Sequence, residues 1–136
     1  MITRVLSGLK NIPDRPLRVF KTAWFAREAR RTQIQDAMLC KAIRQVIFGQ
    51  ADNLGGGVYK KRLNNNQHRA IILASDSRCW IFVYLFAKND RENIRSDELA
   101  AFKRLADDYA HVSVHQINQL ITENELTEIC NECQIR

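Results

Sequence analysis

Apolar side chains recur along this chain in two rhythms, and the changes between them sketch its elements. Leu17-Arg18-Val19-Phe20 alternates and predicts a first short strand. From Thr22 onward Trp24, Phe25, Ala29, Ile34, Met38, Leu39, Ile43, Val46 and Ile47 follow one another mostly at steps of three and four, the period of an amphipathic helix pair. The break between these helices is expected within 31–35, and Gly49 is a natural stop for the second. Residues 53–57 read as a turn-rich joint. Beyond it Val58–Leu63, 69–74 and Cys79–Ala87 read as three strands linked by Asn64-Asn65-Asn66-Gln67 and a tight Asp76-Ser77 turn, an antiparallel meander. Strict alternation in the last strand puts Trp80, Phe82, Tyr84 and Phe86 on one face and Ile81, Val83 and Leu85 on the other. A strand apolar on both faces belongs at the centre of a sheet, covered on both sides.

The remainder reads as helical. Ser96 with Asp97 and Glu98 suits a helix start, followed by an apolar stripe of Leu99, Phe102, Leu105, Ala106 and Tyr109. Ser113 with Gln116 three residues on is a capping-box pattern ahead of Ile117, Leu120 and Ile121. The expected fold is therefore α+β: an antiparallel sheet of about four strands, two N-terminal helices packed on it, and C-terminal helices. At 136 residues the chain is about one domain long. Residues 1–16, broken by Pro13 and Pro16, are expected to form an arm, and 17–136 a single domain with a helical, acidic C-terminal extension.

Composition narrows the function. Hydrophobic residues make up 46% and charged residues 26%, enough for a core without staples. No apolar run approaches the roughly 20 residues of a membrane span, and no signal-peptide pattern opens the chain, so no membrane partner and a cytoplasmic location are expected. Cys130 and Cys133 have CxxC spacing, but no second pair or suitably spaced histidine follows, and no metal or other cofactor is expected.

Charge is more informative. Up to Arg104 there are 20 basic and 9 acidic residues; after it, 1 basic and 6 acidic. A basic body with an acidic tail favours a polyanion as partner, because cations on phosphates gain Coulomb energy and release counterions. A period of two sends Lys60 and Arg62 to one face of their strand and Tyr59, Lys61 and Leu63 to the other. The hairpin returns Arg69 close to Arg62, and Lys88 and Arg91 follow the end of the central strand. A single lysine or arginine on a strand is ordinarily its solvated side. Five converging on one sheet edge with few counter-charges form a place to hold a phosphate and stabilise charge developing on it.

Four segments in this order resemble the RelE/ParE superfamily of bacterial toxins from type II toxin-antitoxin modules, and within it the HigB-like group. They are Arg18-Val19-Phe20-Lys21-Thr22-Ala23-Trp24-Phe25-Ala26-Arg27, Leu54-Gly55-Gly56-Gly57-Val58-Tyr59-Lys60-Lys61-Arg62-Leu63, His68-Arg69-Ala70-Ile71-Ile72-Leu73, and Phe82-Val83-Tyr84-Leu85-Phe86-Ala87-Lys88-Asn89-Asp90-Arg91-Glu92-Asn93-Ile94. With the helix over 97–105, the resemblance spans about 17–129. It implies a RelE-like fold and an endoribonuclease, an mRNA interferase that cuts messenger RNA on the 70S ribosome. It also implies a cognate antitoxin, often a helix-turn-helix protein, through which alone operator DNA would be reached.

The resemblance places Lys60, Arg62 and Arg69 at the catalytic positions and Lys61, Lys88, Arg91 and His68 among the RNA contacts. The reaction it implies is attack of a ribose 2′-hydroxyl on the adjacent phosphate, leaving a cyclic phosphate and a 5′-hydroxyl. Lys60, crowded by other cations, is the candidate base, Arg69 the transition-state stabiliser and Arg62 the phosphate clamp. His68 is the histidine nearest the site, although alternation points it away from Arg69. Asp90 is expected to pair with Arg91. A tyrosine that some members carry near the end of the last segment is replaced by Arg95. Two other functions fit the same fold: a ParE-like gyrase inhibitor that cuts nothing, and a nucleic-acid adaptor.

Overall fold

The computed structural model describes residues 17–75 and 79–131, the last by its backbone alone. The expected arm over 1–16, the Asp76-Ser77 turn and Cys133 lie outside the described residues. In chain order the elements are β1 (Arg18–Thr22), α1 (Ala23–Arg31), α2 (Asp36–Ile47), β2 (Asp52–Gly55), β3 (Val58–Leu63), β4 (His68–Ala74), β5 (Cys79–Ala87), α3 (Ser96–Ala110), α4 (Val114–Thr122) and β6 (Leu126–Asn131).

The α+β expectation holds, with more strands than alternation revealed. Six strands form one sheet in the order β2-β3-β4-β5-β1-β6. The meander β2 to β5 is antiparallel throughout, but β1 lies parallel to β5, with Val19 beside Trp80 and Phe20 beside Ile81. The sheet is thus mixed rather than purely antiparallel. Val19 and Phe20 are fully buried on opposite faces, which is why four residues of weak pattern hold an interior position.

Helices cover both faces. On one, Phe25 and Ala29 of α1 and Leu39, Ala42, Ile43 and Val46 of α2 pack on Val19, Leu63, Ala70, Ile72, Phe82 and Leu85. On the other, Ala106 of α3 and Ile117 of α4 join Phe20, Val58, Ile71, Leu73, Ile81 and Phe86. Local chemistry sets the helix ends: the Thr22 hydroxyl accepts from the Phe25 N–H, and Ser113 and Gln116 form the expected reciprocal cap.

Three expectations are corrected. The strict two-residue period of β5 breaks at a bulge, for Ile71 pairs with Tyr84 and Ile72 with Phe82, skipping Val83. Tyr84 and Phe86 therefore join Ile81 and Val83 on the α3 side, leaving Trp80, Phe82 and Leu85 on the other. Residues 53–55, read as part of a joint, belong to the edge strand β2, and the turn there has positive φ at Gly55, Gly56 and Gly57. A Cβ at Gly57 would stand 2.9 Å from the Ala74 carbonyl oxygen, so the close approach of this turn to the end of β4 requires glycine there. Finally, the acidic extension is not helical to its end: after Thr122 the chain becomes β6, buried at Leu126, Ile129 and Cys130 against β1. It occupies the sheet edge opposite β2 and β3.

Candidate active site

Val58, Lys60 and Arg62 share the face of β3 that carries α3, and Arg69 shares that face on β4. Val58 is fully buried in the cluster that holds Ala106 of α3. Farther along the strand Lys60 and Arg62 meet the segment after β5 instead. The result is an open cleft of about 340 Å³ lined by Asp52, Lys60, Arg62, Arg69, Lys88, Asn89 and Glu92.

Antiparallel register sets Arg62 directly opposite Arg69. Like charges in that relation are destabilising, by up to about 1 kcal/mol. Among the described residues neither arginine makes an ion pair with a carboxylate. The Arg69 guanidinium is held from behind: Nη1 donates to the carbonyls of Asn66 at 3.0 Å and His68 at 3.1 Å. The turn supplying those carbonyls runs through left-handed backbone at Asn64, Asn65 and Asn66, a conformation asparagine tolerates better than most side chains. The Lys88 N–H donates to the Gln67 carbonyl at 3.0 Å, fixing the start of the segment after β5 beside Arg69.

Lys60 is the most engaged of the four cations. Its Nζ donates to Asn93 Oδ1 at 3.2 Å and lies 3.7 Å from Asp52 Oδ2, its register partner on β2. Asp52, Asn89 and Glu92 line the cleft and Asn93 meets Lys60, and sequence reasoning grouped none of them with the cations. Asp52 was hidden because β2 is an exposed edge with no apolar alternation. The two carboxylates oppose four cations, so the cleft stays net positive and suits an anion.

The remaining predicted contacts fall elsewhere. Lys61 points to the opposite face, where Nζ donates to the Gln50 carbonyl at 3.0 Å, and burial, then nearby Arg62, lowers its pKa. His68 shares that opposite face, with Nδ1 3.2 Å from the Asn64 amide. Arg91 is turned into the protein. Its Nη1 donates to the Tyr84 hydroxyl at 3.3 Å and to Glu98 Oε2 at 3.1 Å, Nη2 donates to Glu98 Oε1, and Nε donates to the Asn93 carbonyl at 3.0 Å. The guanidinium also lies over the Phe86 ring. Its partner is Glu98, not the expected Asp90, and the pair braces the loop against α3. The hydrogen bond to Glu98 raises the Arg91 pKa, and the same bond, helped by the Arg95 N–H, lowers that of Glu98.

A family model described as "RelE toxin of RelE / RelB toxin-antitoxin system" matches residues 17–129, well over half of the sequence. The chain belongs to the RelE toxin family. Comparison with curated proteins and with solved structures found no match. Toxins of the RelE family are generally endoribonucleases, and membership implies a cognate antitoxin as partner. No helix among the described residues of this RelE-family toxin is long and apolar enough to cross a membrane. No three His, Cys, Asp or Glu side chains among them gather as metal ligands would. Cys130 instead lies buried beside Cys40, whose Sγ is 3.6 Å from the Ile129 carbonyl oxygen; burial, then the contact with Cys40, pushes the Cys130 thiol up. Of Trp24 and Phe25, Phe25 is core, while Trp24 remains 38% exposed and stacks on Tyr84 at 5.0 Å.

Proposed function

We propose that this chain is a HigB-like mRNA interferase that cleaves messenger RNA on the ribosome in the cytoplasm, and that a helix-turn-helix antitoxin neutralises it by covering the cationic cleft. The observation that carries this reading is Arg62 facing Arg69 with Lys60 and Lys88 around the same cavity. A fold gains no stability from opposed arginines, whereas a phosphodiester placed between them relieves their repulsion.

In the proposed reaction Arg62 clamps the scissile phosphate. Lys60 takes the proton of the 2′-hydroxyl, whose oxygen bonds to phosphorus. The bond to the 5′-oxygen breaks, and the Lys88 ammonium supplies the proton that the leaving oxygen needs. Arg69, fixed by the two turn carbonyls, stabilises the charge developing on the non-bridging oxygens. Asp52 and Asn93 position Lys60. Lys61, His68 and Arg91 take no part in this cleft, and Arg95, standing where some relatives have a tyrosine, is engaged with Asp97.

The test is induction of the chain in a bacterial host with mapping of the 5′ ends of messenger RNA, beside the Lys60→Ala/Arg69→Ala double variant. New cuts inside translated regions and growth arrest, both lost in the variant, are expected. Arrest with intact messages and DNA damage would overturn the nuclease in favour of a gyrase inhibitor.

A further inference from the structure

The cationic cleft does not end at Arg62. Residue Arg62 also borders a second open cleft, of about 310 Å³, between α2 and the β3–β4 turn, where Lys41, Gln45, Asn64, Asn65 and Asn66 surround an apolar floor that includes Met38 and Leu63. Lys41 is exposed on α2. Three successive residues at φ of 54°, 53° and 71° turn the asparagine loop against the helix. Asparagine tolerates that conformation, and the run presents the loop in one shape beside the helix. Asn64 is tied to His68, while Asn65 and Asn66 are exposed. The second cleft therefore offers one cation, one glutamine and exposed asparagine amides, joined to the first cleft through an arginine common to both.

We infer that this second cleft is an RNA subsite that takes a nucleotide flanking the scissile phosphate. Resting on the endoribonuclease reading, it extends the path of the same single strand around the end of β3. Lys41 meets the flanking phosphate, and the Asn65 and Asn66 amides, which both donate and accept, meet the edge of an unstacked base. Arg62 stands between the two positions. Cleavage would then depend on RNA length and on the identity of the flanking base, neither of which the catalytic cleft alone would sense.

The test measures binding of non-cleavable 2′-O-methyl oligoribonucleotides of two and eight nucleotides to the full chain, by fluorescence anisotropy over a range of salt. The wild type is expected to bind the octamer at least about tenfold tighter than the dimer. Lys41→Gln, an exposed substitution that leaves the core intact, should weaken the octamer at least about threefold more than the dimer. It should also flatten the slope of log affinity against log salt by about 0.7, the value of one phosphate contact on a single strand. Asn65→Gly keeps the left-handed backbone and should remove preference among octamers differing at the flanking base. If Arg69→Ala weakens both oligonucleotides while Lys41→Gln weakens them equally or not at all, the subsite is overturned and the nuclease reading stands. If Arg69→Ala weakens neither, both are overturned.

Discussion

On β1 Arg18 is gripped by both oxygens of Glu128 at 2.9 Å, and Lys21 meets Asp36 at 2.7 Å. On β3 and β4 Arg62 confronts Arg69 across the ladder, with no described carboxylate paired to either. Both β1 and the β3–β4 pair carry several cations. The β1 cations complete the packing of β6 and α2 on the sheet, and their charge is used up within the fold. Arg62 and Arg69 keep theirs unpaired among the described residues, and on the proposed reading an RNA phosphate takes it up. Satisfied charge marks structure here, and on the proposed reading opposed charge marks the site.

The difference can be broken most severely by giving the open site the chemistry of the closed one. Arg62→Glu creates a cross-strand partner for Arg69. Stability should rise by a few tenths of a kcal/mol, the value of exchanging a like-charge for an opposite-charge pair at a solvated position. Messenger cleavage should fall about a hundredfold or more, because the anion site is now filled from within. Unfolding midpoints and cleavage rates on one preparation check both signs. A variant that is both less stable and fully active would show that the opposed arginines are ordinary surface charge.

The converse change lies on β1. Arg18→Met keeps the aliphatic stem against Phe20, over which the guanidinium rests, and leaves Glu128 without its fork. The loss should be about 1 kcal/mol in denaturant unfolding, at the upper end for a pair that is only part-exposed. Cleavage per folded molecule should stay at the wild-type level. A cleavage defect exceeding the stability loss would place β1 in the function and end the distinction.

These two regions were not equally legible in the sequence. Lys60, Arg62, Arg69 and Lys88 could be grouped because strand alternation and a four-residue hairpin link are short-range rules, and the register follows from them. Arg91 was grouped with them by proximity in sequence alone. Its true partner, Glu98, lies one helix start away and competes for the guanidinium with hydrogen-bond geometry that composition does not reveal. Asp52 and β2 were hidden because an exposed edge strand needs no apolar alternation. The parallel pairing of β1 with β5, and β6 beyond it, rests on long-range packing of Val19, Phe20, Leu126 and Ile129. The bulge at Val83 likewise left no local mark, and it reversed the face assigned to Tyr84 and Phe86.

Arg91 allows the finest test of the distinction, since it stands beside the open site yet belongs with the closed pairs. Its brace should show itself through pH. Glu98 is held below its ordinary value of 4.5, chiefly by Arg91 and then by the Arg95 N–H. A carboxylate whose folded pKa is depressed takes up protons more readily in the unfolded chain. Its stabilising contribution is complete above the ordinary value and is lost as pH falls through the depressed one. Wild type should therefore exceed Glu98→Gln in thermal midpoint by a steady margin between about pH 5 and 7, a margin that shrinks toward pH 3. The effect is the smallest of the three, because the glutamine side-chain oxygen can still accept from Arg91 and only the carboxylate's charge is lost. Cleavage near neutral pH should drop only as far as the loop carrying Lys88 loosens, well short of the Arg62→Glu loss. A margin that persisted or widened in acid would mean that the Arg91–Glu98 pair does not brace the loop, and Arg91 would return to the cations that serve RNA.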